Sequence, residues 1–325
     1  MFWNRFFNFL LLGGCAVIVF VSVAFGLVRH SLTLKSSVNT SQYIYIEAGD
    51  GLKQIAAKAK KARLVQRSWH FVVASKYLGR ETQLRAGEYA LSPGVNLRTI
   101  IQKIVAGDIH YRKVVIPEGL SVAQVETILL ATPGLNWDGY EPPPEGSLLP
   151  ETYFFTRGEH VKSLIFRMQE KMRLELNVLW ATRAAKLPVK SKEEALILAS
   201  IVEKETGLSH ERPLVAAVFS NRLKRGMRLQ SDPTVIYGIT FGEPLGRRLT
   251  TADLKADTGF NTYRKRGLPL TAIANPGKGA IEAVLSPANV DFLYFVADGE
   301  GGHAFATNLK EHNRNVARWR KIRDR

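Results

Sequence analysis

Residues 196–206 read Leu196-Ile197-Leu198-Ala199-Ser200-Ile201-Val202-Glu203-Lys204-Glu205-Thr206. The run is apolar almost all round, so it predicts a helix buried at the centre of a globular fold. Two carboxylates ride on its end. Ionised carboxylates seldom enter a core without a partner. One placed on a core helix has its pKa raised, which is what a general acid working near neutral pH requires. At about 100° per residue, Glu203 lies over Leu196 and Ala199, and Glu205 over Leu198 and Ile201. The two point to different sides, and the pattern excludes neither from the interior. On pattern alone the plainer reading is a frayed last turn, with one or both carboxylates in water.

Further helices surround this one. Val161 to Lys186 has an amphipathic period with many charges and ends ahead of Pro188. Pro213 to Arg225 begins with proline in its first turn and closes before Gly226. Leu293 to Ala297 and Ala304 to Thr307 flank the turn Asp298-Gly299-Glu300-Gly301-Gly302 and predict a hairpin. Tyr140 to Pro150 is a proline-rich loop, and the basic stretch Arg314 to Arg323 suits a terminal helix with a solvated face.

Towards the N-terminus a smaller unit emerges. Tyr43-Ile44-Tyr45-Ile46 has strand character and Gly49-Asp50-Gly51 turn chemistry. Leu52 to Leu64 and Ser68 to Leu78 suit helices, Gly87 to Leu91 a second strand, and Leu97 to Val105 a helix stopping at Gly107. A partial repeat is visible: Ile46, Gly49, Leu52, Gln54 and Ile55 match Ile116, Gly119, Val122, Gln124 and Val125. Each copy predicts strand, glycine turn, helix. Duplication and a common turn written twice explain it equally well.

Phe9 to Val28 is an uncharged apolar run of the length that crosses a bilayer as a helix. Trp3, Phe6 and Phe7 precede it as interface aromatics. A cleaved signal peptide would have a shorter apolar core. Leu12-Gly13-Gly14-Cys15 imitates a lipoprotein site, but the chain stays apolar well beyond Cys15. The expectation is one uncleaved span, residues 9–28, after a short cytoplasmic N-terminus, residues 1–8. A Ser, Thr and Asn-rich tether within residues 29–42 follows. Flanking charges are nearly balanced and leave orientation open. Cys15, inside the span, is the only cysteine among 325 residues, which is compatible with an oxidising compartment.

The formal net charge of +16 points to an anionic partner, whether nucleic acid, phospholipid or an acidic glycan. The anchor argues against nucleic acid. There is no phosphate-binding glycine loop, no dinucleotide fingerprint and no His-Glu-x-x-His, and the seven histidines are scattered. Phe219-Ser220-Asn221 is not a nucleophile elbow. No metal site is expected. What remains is a carboxylate on a buried helix, with polar and aromatic loops elsewhere in the chain. Among them are Glu145 to Tyr153, Gln230 to Gly238, Asn261-Thr262-Tyr263, Ile273 to Gly277 and Gly302-His303-Ala304-Phe305. Amide, hydroxyl and aromatic groups together suit carbohydrate, though each segment alone also suits a turn.

Read in order, several of these segments resemble the endolytic murein transglycosylase family (MltG, YceG-like). The match is carried by Ala199 to Thr206, Asn221-Arg222-Leu223, Met227 to Gly238, Asn261-Thr262-Tyr263, Ile273 to Gly277 and Glu311-His312-Asn313. With the anchor and Glu145 to Tyr153 they cover nearly the whole chain. The resemblance implies an α+β protein with one span in the bacterial inner membrane and the rest in the periplasm. A LysM-like subdomain would occupy residues 43–112 and the catalytic domain residues 113–325. It implies a lyase that cuts nascent glycan strands after N-acetylmuramic acid and leaves a 1,6-anhydro end, with no cofactor. Peptidoglycan synthases would be its protein partners.

The family's catalytic glutamate is expected on Glu203, and Asp232, Thr234, Tyr237 and Asn275 are expected to line the cleft. Two departures stand out: Leu270-Thr271-Ala272 follows Pro269 where the family has a second proline and a glycine, and Glu151 replaces aspartate. A single carboxyl suffices for this chemistry, because the muramic 6-hydroxyl is an internal nucleophile that replaces water. Two alternatives are a hydrolytic muramidase, with Asp232 as a second carboxylate, and an inactive membrane-tethered glycan-binding scaffold.

Overall fold

The computed structural model describes residues 2–33, 35–36 and 40–323. The chain divides into two compact units, Met1–Arg112 and Lys113–Arg325. Helix and strand mix in both, as an α+β chain requires.

In the first unit, α1 (Phe2–Thr33) is followed by β1 (Gln42–Ile46), α2 (Leu52–Lys61), α3 (Ser68–Tyr77), β2 (Gly87–Leu91) and α4 (Leu97–Ala106). β1 and β2 pair antiparallel, with Ile44 opposite Tyr89. Ile44, Ile55, Phe71, Tyr89, Ile100 and Ile104 form its core. α4 is capped by the Asn96 side chain, which accepts from the Thr99 N–H at 2.9 Å, and it stops at Gly107 in the left-handed conformation.

α1 contains one stretch, Leu12–Thr33, long and apolar enough to cross a membrane. The helix runs past Val28 into the segment expected to be a tether. Leu32 is buried in the core of the unit, with Val28 packed against it, and the Ser31 hydroxyl donates to the Leu27 carbonyl. Packing therefore extends a helix through residues whose polarity alone suggested a loop. Leu34 and residues 37–39 of that segment lie outside the described residues.

The second unit opens with β3 (Arg112–Val115), α5 (Val122–Leu130), β4 (Thr152–Phe155) and α6 (Val161–Ala181). β3 pairs with β4. The partial repeat has a common physical basis. Gly49 and Gly119 both take positive φ, 90° and 76°. Gln54 and Gln124 then occupy the same capping position: each side-chain oxygen accepts the N–H of the N-cap residue, Gly51 at 2.6 Å and Ser121 at 3.0 Å. α6 ends five residues earlier than its charge pattern suggested. The Ala184 N–H donates to the Leu285 carbonyl at 2.9 Å, which draws the chain off the helix axis.

Next come α7 (Lys192–Glu205), α8 (Arg212–Lys224), α9 (Asp232–Thr240), α10 (Thr251–Lys255) and α11 (Lys278–Leu285). The hairpin β5 (Tyr294–Ala297) and β6 (His303–Ala306) and the terminal α12 (Leu309–Arg323) complete the unit. α7 is the central helix. Leu198, Ala199, Ile201 and Val202 are fully buried against Val215, Ala216 and Phe219 of α8 and Ala280, Ile281 and Val284 of α11. Full burial of one such Leu or Ile stabilises by about 1.5–3 kcal/mol. The buried Ser200 hydroxyl accepts the Ile273 N–H at 3.0 Å, so even the polar residue of this run serves the fold. α9 and α11 were not anticipated: residues 232–238 stood within a segment read as a loop but form α9, with Pro233 in its first turn, and the short apolar run beginning at Lys278 lacks a distinctive start signal.

Candidate active site

Glu203 and Glu205 occupy the last turn of α7, where the negative end of the helix dipole opposes a carboxylate. They meet different surroundings. One Glu203 oxygen accepts the Gly277 N–H at 2.9 Å, and the other accepts Arg212 Nη2 at 3.1 Å. The same Nη2 donates to Glu118 at 2.7 Å. Burial raises the Glu203 pKa, the Gly277 N–H and the Arg212 charge pull it back, and the Glu118 charge adds to the rise. The joint is built for close approach. A Cβ on Gly277 would lie 1.8 Å from a Glu118 oxygen, and one on Gly279 would lie 2.6 Å from Arg212 Nη1. Glu203 thus ties α7 to the starts of α8 and α11.

Among the described residues, Glu205 accepts one hydrogen bond, from the Ser231 hydroxyl at 2.5 Å. Burial pushes its pKa up to about 7; the Asp232 charge adds to this, while the Ser231 hydroxyl, His303 and Arg222 oppose it. Asp232, exposed at the start of α9, accepts the Tyr263 hydroxyl at 2.6 Å.

The loops that present these groups are pinned from within. Thr262 Oγ1 accepts the Ser231 N–H at 3.0 Å and lies 2.9 Å from Thr234 Oγ1. The buried Asn261 amide donates to the Leu254 and Ala256 carbonyls. Arg222 holds the Leu293 and Leu229 carbonyls, both at 2.7 Å.

A second pair stands beside the end of α7. Buried Glu211 accepts Thr206 Oγ1 at 3.1 Å and the His303 N–H at 2.7 Å, and lies 2.7 Å from His303 Nδ1. Burial pushes the Glu211 carboxyl up, but the bonds from His303 and Thr206 outweigh it and hold it below its ordinary value. An ionised carboxylate only accepts, so Nδ1 carries the proton.

The expected cleft residues do not converge on one carboxylate. Asp232 is beside Glu205. Thr234 is fully buried, its hydroxyl donating to the Ser231 carbonyl. Tyr237 donates to Glu145 at 3.1 Å. Asn275 is fully buried: its oxygen accepts the Leu148 N–H at 2.9 Å and its nitrogen donates to the Leu120 carbonyl at 3.0 Å. Burial raises the Glu145 pKa against the Val122 N–H and Tyr237. Tyr237 also lines a cavity of about 360 Å³ with Gly119, Ser121, Lys204, Pro233 and Ile236. A larger cavity, about 890 Å³, is lined by Tyr140, Lys162, Phe166 and Arg167 and holds neither α7 carboxylate.

Ser231, Tyr263 and His303 stood in segments picked out for their polar and aromatic character, but nothing in the pattern assigned them to Glu205. Glu118, Glu211 and Arg212 carried no sequence signal.

Residues 44–318 match the YceG-like family. The chain is 30% identical over 311 residues to an endolytic murein transglycosylase of Bacillus subtilis (strain 168), covering 86% of this chain and 84% of that one. It is 29% identical over 339 residues to an endolytic murein transglycosylase of Streptococcus pneumoniae (strain ATCC BAA-255 / R6), covering 87% of this chain and 60% of that longer one. The crystal structure of a yceG-like protein from Listeria monocytogenes superposes with a TM-score of 0.53 at 30% identity, covering 85% of this chain and 99% of that one. Matches that run through both units, in sequence and in fold, make this chain a member of the YceG-like family.

Proposed function

We propose that this chain is an endolytic lytic transglycosylase, a lyase that cuts glycan strands of peptidoglycan after N-acetylmuramic acid and leaves a 1,6-anhydro end. Membership of the YceG-like family and the two relatives of that name support the reaction class. α1 would anchor the chain in the inner membrane, with the remainder in the periplasm beside the synthases that supply new strands. The antiparallel β1–β2 pair with α2 and α3 between its strands is compatible with a LysM-like unit over residues 43–112. That unit would hold glycan, and residues 113–325 would do the chemistry.

The acid in this reading is Glu205. One observation carries the choice: its pKa is raised to about 7 and, among the described residues, its one hydrogen-bond partner is a hydroxyl. Protonated Glu205 donates to the glycosidic oxygen as the bond from C1 to that oxygen breaks. The resulting carboxylate takes the proton from the muramic 6-hydroxyl as O6 bonds to C1. The proton returns to the enzyme, no water enters, and the entropic advantage of an intramolecular attack is retained.

Glu203, the residue expected from the family resemblance, is the second reading. Against it, both oxygens are already bound by donors that favour the ionised form. Asp232 beside Glu205 also keeps a hydrolytic variant in play, since a second carboxylate could activate water.

Full-length protein in detergent, incubated with sacculi, tests these together. Mass spectrometry of the fragments should find anhydro ends. Reducing ends would mean hydrolysis, and binding without release would mean a scaffold.

A further inference from the structure

We propose that the C-terminal end of α3 is a second membrane contact, seated in the phospholipid headgroup layer where α1 leaves the bilayer. The inference rests on the reading of α1 as a membrane span. α1 changes character within two turns. Its described side chains are exposed up to Leu27, Val28 is half-buried, and Ser31 and Leu32 are buried in the first unit. The helix is therefore seated directly in that unit, and the edge of the hydrocarbon falls near Val28.

α3 runs alongside this stretch in the opposite direction. The Tyr77 ring lies 6.2 Å from the Phe25 ring, edge to face. Further out, His30 is near enough to His70 to help lower its pKa, behind burial and Arg67. α3 thus descends towards the bilayer, and Tyr77 reaches the level of Phe25, below the last apolar residue of the span.

What α3 brings there suits an interface. Tyr77 is 48% exposed despite its size. Lys76 and Arg80 are exposed beside it, and Arg29 stands 5.9 Å from the Phe25 ring. An aromatic with a polar tip, flanked by long cationic side chains, matches the boundary between acyl chains and phosphates. The half-buried Glu81 is the one opposing charge in this turn. Each cation near an anionic surface adds attraction that fades within a Debye length. The far end of α3, at Arg67, stands about 13 Å or more further out, given 1.5 Å per residue. A contact of this kind would fix the tilt of the first unit against the membrane instead of leaving it to swing on a tether.

The test uses the full chain, with Cys15→Ser, in nanodiscs containing phosphatidylglycerol. Nitroxide labels are placed singly at Val19→Cys, Thr82→Cys and Arg67→Cys, and collision with oxygen and with a water-soluble nickel chelate gives depth. Val19 is expected deep in the hydrocarbon, Thr82 shielded at headgroup depth, and Arg67 fully aqueous. In a Lys76→Glu/Arg80→Glu background Thr82 should become water-accessible while Val19 stays deep. Thr82 as open to the chelate as Arg67, with Val19 deep, would overturn the contact and leave the anchor standing. A water-accessible Val19 would instead overturn the anchor itself.

Discussion

Ser231 Oγ lies 2.5 Å from Glu205 Oε1, and among the described residues this hydroxyl is the one hydrogen-bond partner of a carboxyl whose burial raises its pKa to about 7. Two residues earlier on the same helix, Glu203 is gripped at both oxygens by a guanidinium and a backbone N–H. Burial raises both carboxyls, but two donors hold Glu203 and a single hydroxyl leaves Glu205 poised.

Glu205→Gln keeps the shape and the Ser231 contact but cannot deliver a proton. It is expected to reduce the release of anhydro-ended fragments from sacculi by about 10²–10⁴-fold, with a melting temperature close to wild type. Glu203→Gln should lower the melting temperature and leave much more of the turnover. The reverse pattern, with Glu203→Gln folded and inactive, would return the acid to Glu203.

The Glu205 pKa also sets a pH dependence. Cleavage requires the protonated acid, so kcat/KM should fall as pH rises through about 7. Stability carries the same signature. The folded carboxyl is raised from its ordinary 4.5 to about 7, so between those values the native state binds more protons than the unfolded chain. Stability from this group is therefore lost as pH rises across that window, with a slope approaching about 1.4 kcal/mol per pH unit. Urea titrations at pH 5 and pH 8 should show Glu205→Gln gaining on wild type at the higher pH. An unchanged difference would mean that Glu205 titrates normally.

Arg212→Met removes the cation between Glu203 and Glu118. Glu203 has 5% of its side chain exposed and Glu118 42%, so the loss falls mainly on Glu203. Leaving a buried carboxylate without its partner costs about 3 kcal/mol. Glu118→Gln, on the exposed side of the same joint, should cost less than about 1 kcal/mol. Chemical denaturation of the two variants measures both, and equal losses would contradict the burial argument.

The four expected cleft residues should separate into two groups. Asn275→Ala orphans the buried Leu148 N–H, which costs about 1–3 kcal/mol, while the Leu120 carbonyl keeps the backbone N–H of residue 275. Thr234→Val should likewise lower the melting temperature, because its hydroxyl is buried between Ser231 and Thr262. Asp232→Asn is expected to leave the melting temperature near wild type and change cleavage, since its side chain is exposed beside Glu205. A large loss of stability with unchanged kcat in Asp232→Asn would make it a turn residue only.

Much of the fold was legible in residue order. The 196–206 run declared a core helix, and α7 is the centre of the second unit. The constant spacing of Ile, Gly and Gln in the partial repeat foretold two strand–turn–helix passages, because positive φ favours glycine and a capping box needs its glutamine three residues on. The apolar N-terminal run marked a helix of spanning length. The family was legible as well, since long polar motifs in one order survive in the primary structure.

Helical period separates Glu203 from Glu205 by about 200° but says nothing of what each side meets. Those partners come from across the fold: Gly277 is 74 positions from Glu203, and Ser231 is 26 from Glu205. A carboxyl's pKa depends on desolvation and on donors within hydrogen-bond reach, and neither has a local signature. The same reason explains Asn275 and Thr234, whose polarity marked them for a cleft while packing buried them as fastenings. It also explains α1, where buried contacts of Leu32 carried a helix through residues that looked like a tether. Sequence alone determined the elements, the spanning-length helix and the family; only the tertiary structure decided which carboxylate is held and which is left poised.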